Sequence, residues 1–233
     1  MPRQQPLLSA TGLRKSYGRT VVLDGGEIAV APGEIVAVMG ESAFGTSTLL
    51  HCLSGIVRPD EGEIRFDGRS VTAMGDSDLR HLRRTSFGFV SGLAHLVPTL
   101  TCRENTALPL RLLGRPTEEA EREAMPWLER MGVADLAGLR PEELSDGECR
   151  RVAIARTLAL SPRVIFADEP TGALDRRGSD LVMELFTAAT VDCGIAVVLA
   201  TLRPRVADFA DREIEVRGEP ADLSAADAAG RVG

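Results

Sequence analysis

The stretch Glu34–Met39 carries the apolar run IVAVM and leads straight into a glycine-bearing loop, GESAFGTS, residues 40–47. A run with no polar interruption predicts a strand buried on both faces, as in a parallel sheet covered by helices. The residues that follow, STLLHCLSG, are apolar at helical spacing and stop at Gly55, which suits a helix C-terminus. The pattern returns with VIFA at 164–167, a helical stretch over about 177–189 and IAVVLA at 195–200. Strands that alternate with helices in this way predict an α/β fold.

Around that core the chain is less regular. Short β-like runs occupy Leu7–Leu13, Thr20–Leu23 and Ile28–Val30, whereas residues 76–160 read as mostly helical, through LRHLRR, RENTALPLRLLG and TEEAEREAMPWLERMG. The helical stretch is the candidate insert, placed at about 95–160 within one domain over 1–217. The last residues, 218–233, are small, polar and Ala-rich and are expected to form a flexible tail. No apolar run approaches the roughly 18 to 20 residues of a membrane helix, so any membrane role is expected through a partner. The 27 basic and 34 acidic residues give a net charge of −7, which argues against a nonspecific grip on nucleic acid. Four scattered cysteines with no Cys-x-x-Cys pair fit reduced thiols in a cytoplasmic compartment.

Three segments carry chemistry. Gly40, Gly45 and Ser47 keep the spacing of a phosphate-binding loop, in which backbone N–H groups and a helix N-terminus wrap phosphates, a lysine neutralises charge and a hydroxyl binds Mg²⁺. Thr46 stands at the lysine position, so taken alone the match is weak, and a structural glycine turn reads equally well. VIFADEPTGALD, residues 164–175, is an apolar strand ending in Asp168 and Glu169, a pair suited to holding Mg²⁺ through water and to polarising an attacking water. In LSDGECRRVAIARTL, residues 144–158, Ser145 and Gly147 are placed to start a helix whose free N–H groups face an anion.

In this order the segments resemble the ATP-binding subunit of ABC transporters over about residues 7–217. The branch that includes the lipoprotein-release, macrolide-export and cell-division permease ATPases is nearest, on LVPTLTCRENTALPLRLLG, RVAIARTLALSPRVIFADEPTGALD and RPRVADFADREIEV. The resemblance implies a P-loop NTPase-like α/β core with an antiparallel β part and an inserted helical subdomain. It also implies a head-to-tail dimer with two ATP sites, a membrane permease as partner, and a peripheral place on the inner face of the cell membrane. Carried over by position, Tyr17 is the aromatic that stacks on adenine, and Gly40, Glu41, Ser42, Ala43, Phe44, Gly45, Thr46, Ser47 and Thr48 form the nucleotide loop. Ser47 and Asp168 are the Mg²⁺ residues, and Glu169 is the catalytic base. Leu144, Ser145, Asp146, Gly147 and Glu148 form the signature that serves the partner's site, and Asp175 is the D-loop residue.

Against the same pattern the lysine is replaced by Thr46, the glutamine after the GFV strand by Gly92 and the switch histidine by Leu202. Asp146 stands where glycine is usual, Glu148 where glutamine is common, and Ala43 replaces a usual glycine, with backbone strain expected if its φ is positive. Three outcomes stay open: an ATP-binding transporter subunit with weak or lost hydrolysis, a non-hydrolysing scaffold or regulator, and an active ATPase in which Arg203 or Arg14 reaches the phosphates instead.

Overall fold

The computed structural model describes residues 5–40 and 43–216. Among these residues nine strands form two sheets. The first has the order β2-β1-β4-β5, with β1 (Leu8–Tyr17), β2 (Thr20–Val30), β4 (Glu61–Phe66) and β5 (Arg69–Ser70) all paired antiparallel. The second has the order β6-β7-β8-β3-β9, all parallel, from β3 (Ile35–Gly40), β6 (Phe87–Val90), β7 (Val164–Asp168), β8 (Ala196–Ala200) and β9 (Arg212–Val216).

The continuous apolar runs follow from where the parallel sheet lies. Successive side chains of a strand face opposite ways. Val36 and Val38, Val164 and Phe166, and Ala196 and Val198 enter a core shared with α1 (Ala43–Leu53) and the antiparallel sheet. Ile35, Ile165 and Ala167, and Val197 and Leu199 enter a second core with α5 (Asp146–Ala159) and α6 (Arg176–Cys193). Both faces are covered, so both sets must be apolar. Edge-on aromatic contacts link the sheets, with Phe66 of β4 against Phe87 of β6 at 4.9 Å and Phe87 against Phe166 of β7 at 5.1 Å.

Between β6 and α5 run α3 (Cys102–Leu112) and α4 (Thr117–Arg130), preceded in the chain by α2 (Asp76–Thr85). A capping box starts α3: Thr101 accepts from the Glu104 N–H at 3.3 Å, and the Glu104 carboxylate accepts from the Thr101 N–H at 2.8 Å. Those bonds favour the ionised carboxylate, the backbone bond most, and hold the Glu104 pKa below the ordinary 4.5. Stability from this cap is therefore complete above pH 4.5 and is lost as pH falls through the lowered folded value. Urea midpoints followed downward from pH 6 should fall less steeply for Glu104→Gln than for the natural chain.

Several expectations are corrected. The runs at Thr20–Leu23 and Ile28–Val30 are parts of one strand, β2, whose register against β1 shifts around Gly26 and Leu23. Strands β4, β5 and β9 were not foreseen, and β6 interrupts the stretch read as mostly helical. The loop expected over 40–47 is shorter, because α1 already begins at Ala43. The proposed tail at 218–233 lies outside the described residues, as do Glu41 and Ser42 of the loop.

Candidate functional site

Gly40, Asp168 and Ala200 end three neighbouring parallel strands, so the segments that leave them converge on one edge of the sheet, the edge where open α/β sheets bind ligands. From Gly40 the chain crosses into α1. Gly45 sits in a tight place: a Cβ there would lie 3.3 Å from the Val22 carbonyl of β2. The first turn of α1 carries no acidic residue, and a helix N-terminus of that kind favours an anion. Ser47, half-buried in that turn, donates from Oγ to Asp168 Oδ2 at 2.7 Å. Thr46 is only 3% exposed, and Thr48 only 2%.

Glu169 follows Asp168 with a left-handed backbone, φ 43°, which costs a non-glycine residue on the order of 1–3 kcal/mol and is held only by strong surroundings. Those surroundings are the segment after β8. The Glu169 N–H donates to Ala200 O at 2.9 Å, and its carboxylate accepts from the Leu202 N–H at 2.5 Å and the Thr201 hydroxyl at 3.3 Å. The Leu202 side chain is 51% exposed. Arg203 donates to the carbonyls of Thr171 and Gly172 at 3.1 and 3.0 Å, and Arg14 pairs with Glu61 and Asp24 at 3.3 and 3.7 Å.

Gly92 lies just past β6, where a side chain would meet nothing within 4 Å. Its carbonyl and that of Ser91 accept from Arg150 of α5. Burial lowers the Arg150 pKa, against the opposing pull of Asp146, Asp168 and Glu169, so the guanidinium feels the charge of the carboxylate pair. Arg150 was missed by the sequence reading. The signal was present, since Ile154 and Leu158, at i+4 and i+8 from it, are fully buried, and an arginine on that stripe faces inward.

The LSDGE segment is separate from this edge. Ser145 caps α5 and forms a capping box with Glu148, accepting from its N–H at 3.4 Å and donating to its carboxylate from N–H and Oγ at 2.8 and 2.7 Å. Asp146 is exposed and Leu144 half-buried. Gly147 and Asp175 line one cleft of about 1070 Å³ with Arg151, Leu174 and Arg176. Asp175 caps α6 through the Gly178 N–H at 2.7 Å. Tyr17 ends β1 in the other sheet, 37% exposed, with the Lys15 ammonium 5.7 Å from its ring.

The family model described as ABC transporter matches residues 23–172. The chain belongs to the ABC transporter family. It is 40% identical over 214 residues to the lipoprotein-releasing system ATP-binding protein LolD of Geobacter metallireducens, covering 90% of this chain and 95% of that protein. It is 41% identical over 217 residues to the macrolide export ATP-binding/permease protein MacB of Nitrosomonas europaea, covering 91% of this chain but 33% of that protein. The chain thus spans about a third of the MacB relative's length. A solved dimeric ATP-binding cassette, MJ0796, in a post-hydrolysis state with ADP and Pi, matches with a TM-score of 0.85 at 32% identity over 91% of this chain and 98% of that one. The fold is that of an ABC ATPase cassette, as the resemblance implied. Among the described residues no helix is long and apolar enough to cross a membrane.

The residues fit ATP and Mg²⁺ in part. A hydroxyl and a carboxylate 2.7 Å apart at a helix N-terminus suit Mg²⁺, which takes one or two protein ligands and completes its shell with phosphate and water. No cluster of three acidic, histidine or cysteine groups is found among the described residues, and a site of this kind needs none.

Proposed function

We propose that this chain is the nucleotide-binding subunit of an ABC transporter whose own phosphate-loop side binds ATP weakly and hydrolyses it slowly or not at all. One observation carries the reading. The Ser47–Asp168 contact is in place, whereas the three positions that would bring polar groups to the γ-phosphate hold buried Thr46, Gly92 and exposed Leu202. In this reading ATP is held at the N-terminus of α1 and by stacking of adenine on Tyr17, and Ser47 and Asp168 would hold Mg²⁺. Mg²⁺ supplies charge to the phosphates, and Glu169 is the base for the attacking water.

Leu144, Ser145, Asp146, Gly147 and Glu148, with Asp175, serve the loop of a second cassette in a head-to-tail dimer; the cleft shared by Gly147 and Asp175 supports that placement. The second cassette is either another copy or an intact ATPase, and an integral-membrane permease is the remaining partner. The place of action is the cytoplasmic face of the membrane, and the domain is the single unit 1–217 with its helical insert.

Calorimetric titration of the natural chain with ATP and Mg²⁺ into the millimolar range tests this. Binding in that range, with turnover at background, is the expected result. No binding at millimolar ATP would overturn it in favour of the scaffold reading, which the engagement of the Gly92 carbonyl by Arg150 favours.

A further inference from the structure

The loop at 91–95, which joins β6 to the segment before α3, has its carbonyls taken one after another. Arg150 donates to Ser91 O and Gly92 O. The Ser91 hydroxyl donates to Leu93 O and lies 2.8 Å from His95 Nδ1. Arg156, two turns along α5, donates to Ala94 O at 3.1 Å and His95 O at 2.9 Å. Five successive carbonyls therefore have donors, and four of the bonds come from two forked guanidinium groups on one helix. That helix is anchored, since Val152, Ile154 and Leu158 are fully buried.

Arg150 is 5% exposed, and its Nε has no hydrogen-bond partner. A buried guanidinium is costly unless its other donors are well used, so its place among the Ser91 and Gly92 carbonyls is its stabilising role. His95 keeps a left-handed backbone, φ 44°, a further sign that the loop is held in one conformation by its surroundings.

We propose that Arg150 is a positioning residue which, with Arg156, locks the 91–95 loop onto α5, so that the loop's conformation is set by the polypeptide and not by bound nucleotide. This rests on the reading of Gly92 as the place of the family's nucleotide-contacting glutamine. A glutamine side chain there could follow Mg²⁺ and phosphate; a glycine offers only its carbonyl, and that carbonyl is already engaged.

Backbone ¹⁵N relaxation on the natural chain, with and without millimolar ATP–Mg²⁺, tests the lock. The amides of 91–95 should show order parameters of about 0.85, as in rigid backbone, in both conditions. In Arg150→Gln they should fall below about 0.6 while α4 and β8 keep their values. Low order in the natural loop, ordering only when ATP–Mg²⁺ is added, or unchanged order in Arg150→Gln would each overturn the proposal. If Arg150→Gln does not fold, Arg150→Lys keeps the charge but loses the fork and should show an intermediate loss confined to the loop. The resonances of Gly45–Thr48 report nucleotide binding in the same spectra, so silence there would sink the nucleotide reading while the lock is judged on the loop alone.

Discussion

Thr46→Lys should bind ATP–Mg²⁺ about ten- to two-hundred-fold more tightly than the natural chain, because a charge-assisted hydrogen bond to phosphate contributes about 1.5–3 kcal/mol. The position lies in the first turn of α1, beside Ser47, where an ammonium can reach an anion held by the helix N-terminus. Thr46 is 3% exposed, however, so the new charge must extend along its flexible stem toward the loop. Without nucleotide it sits poorly solvated, and the ligand-free variant should melt below the natural chain. ATP–Mg²⁺ should then raise its melting temperature more than it raises that of the natural chain, since tighter binding to the folded state stabilises it further at equal ligand. Calorimetry and melting curves on both chains measure the two effects. Equal affinities in the two chains would mean that the turn beginning at Ala43 does not present its N–H groups to phosphate, and the weak-binding reading would fall.

The parallel sheet and the carboxylate edge were legible because they are written in contiguous residues. IVAVM, VIFA and IAVVLA are apolar at every position because each strand has two buried faces, and this no solvent-facing element imitates. Asp168 and Glu169 directly follow such a strand, so their place at its carboxyl end needed only the direction of the chain. The missed strands have weaker patterns. REIEV of β9 alternates charge and apolar residues at a sheet edge, and FGFV of β6 is four residues long with a glycine inside. Gly88 is required there by Thr157 Cγ2, 2.6 Å from its would-be Cβ, a contact 69 residues away in sequence that no local pattern encodes. Within β2, DGG reads as a turn between two strands, yet the neighbouring strand β1 carries the ladder past it through irregular register.

At the site, residue types were legible and their engagements were not. The absence of a lysine, a glutamine and a histidine could be read from Thr46, Gly92 and Leu202. That Arg203 is spent on Thr171 and Gly172 could not, because the donor and its acceptors are some thirty residues apart and meet only through the β7–β8 pairing. The same holds for Arg150, whose partners lie on the far side of two intervening helices. Tertiary contacts set what each charge touches, and here they place Arg203 against two carbonyls and Arg14 beside two exposed carboxylates.

The largest change is expected when the three positions are restored together. Thr46→Lys/Gly92→Gln/Leu202→His should raise ATP turnover by about 10⁴-fold or more over the natural chain, since each preorganised group that stabilises transferring phosphate contributes roughly a hundred-fold or more. At two of the three positions there is open space: a Cβ at Gly92 meets nothing within 4 Å, and Leu202 is 51% exposed. Glu169 should stay poised, because it is held at position 202 by the backbone N–H, which the histidine variant keeps. Adding Glu169→Gln should return turnover to background if Glu169 is the base. A phosphate-release assay on these variants separates two causes of failure. If the triple variant binds ATP tightly and still does not turn over, the block lies on the signature side, where exposed Asp146 sets a negative charge in the first turn of α5. Asp146→Gly in the same background should then release it, because removing that carboxylate restores a helix N-terminus whose dipole favours the partner's phosphate.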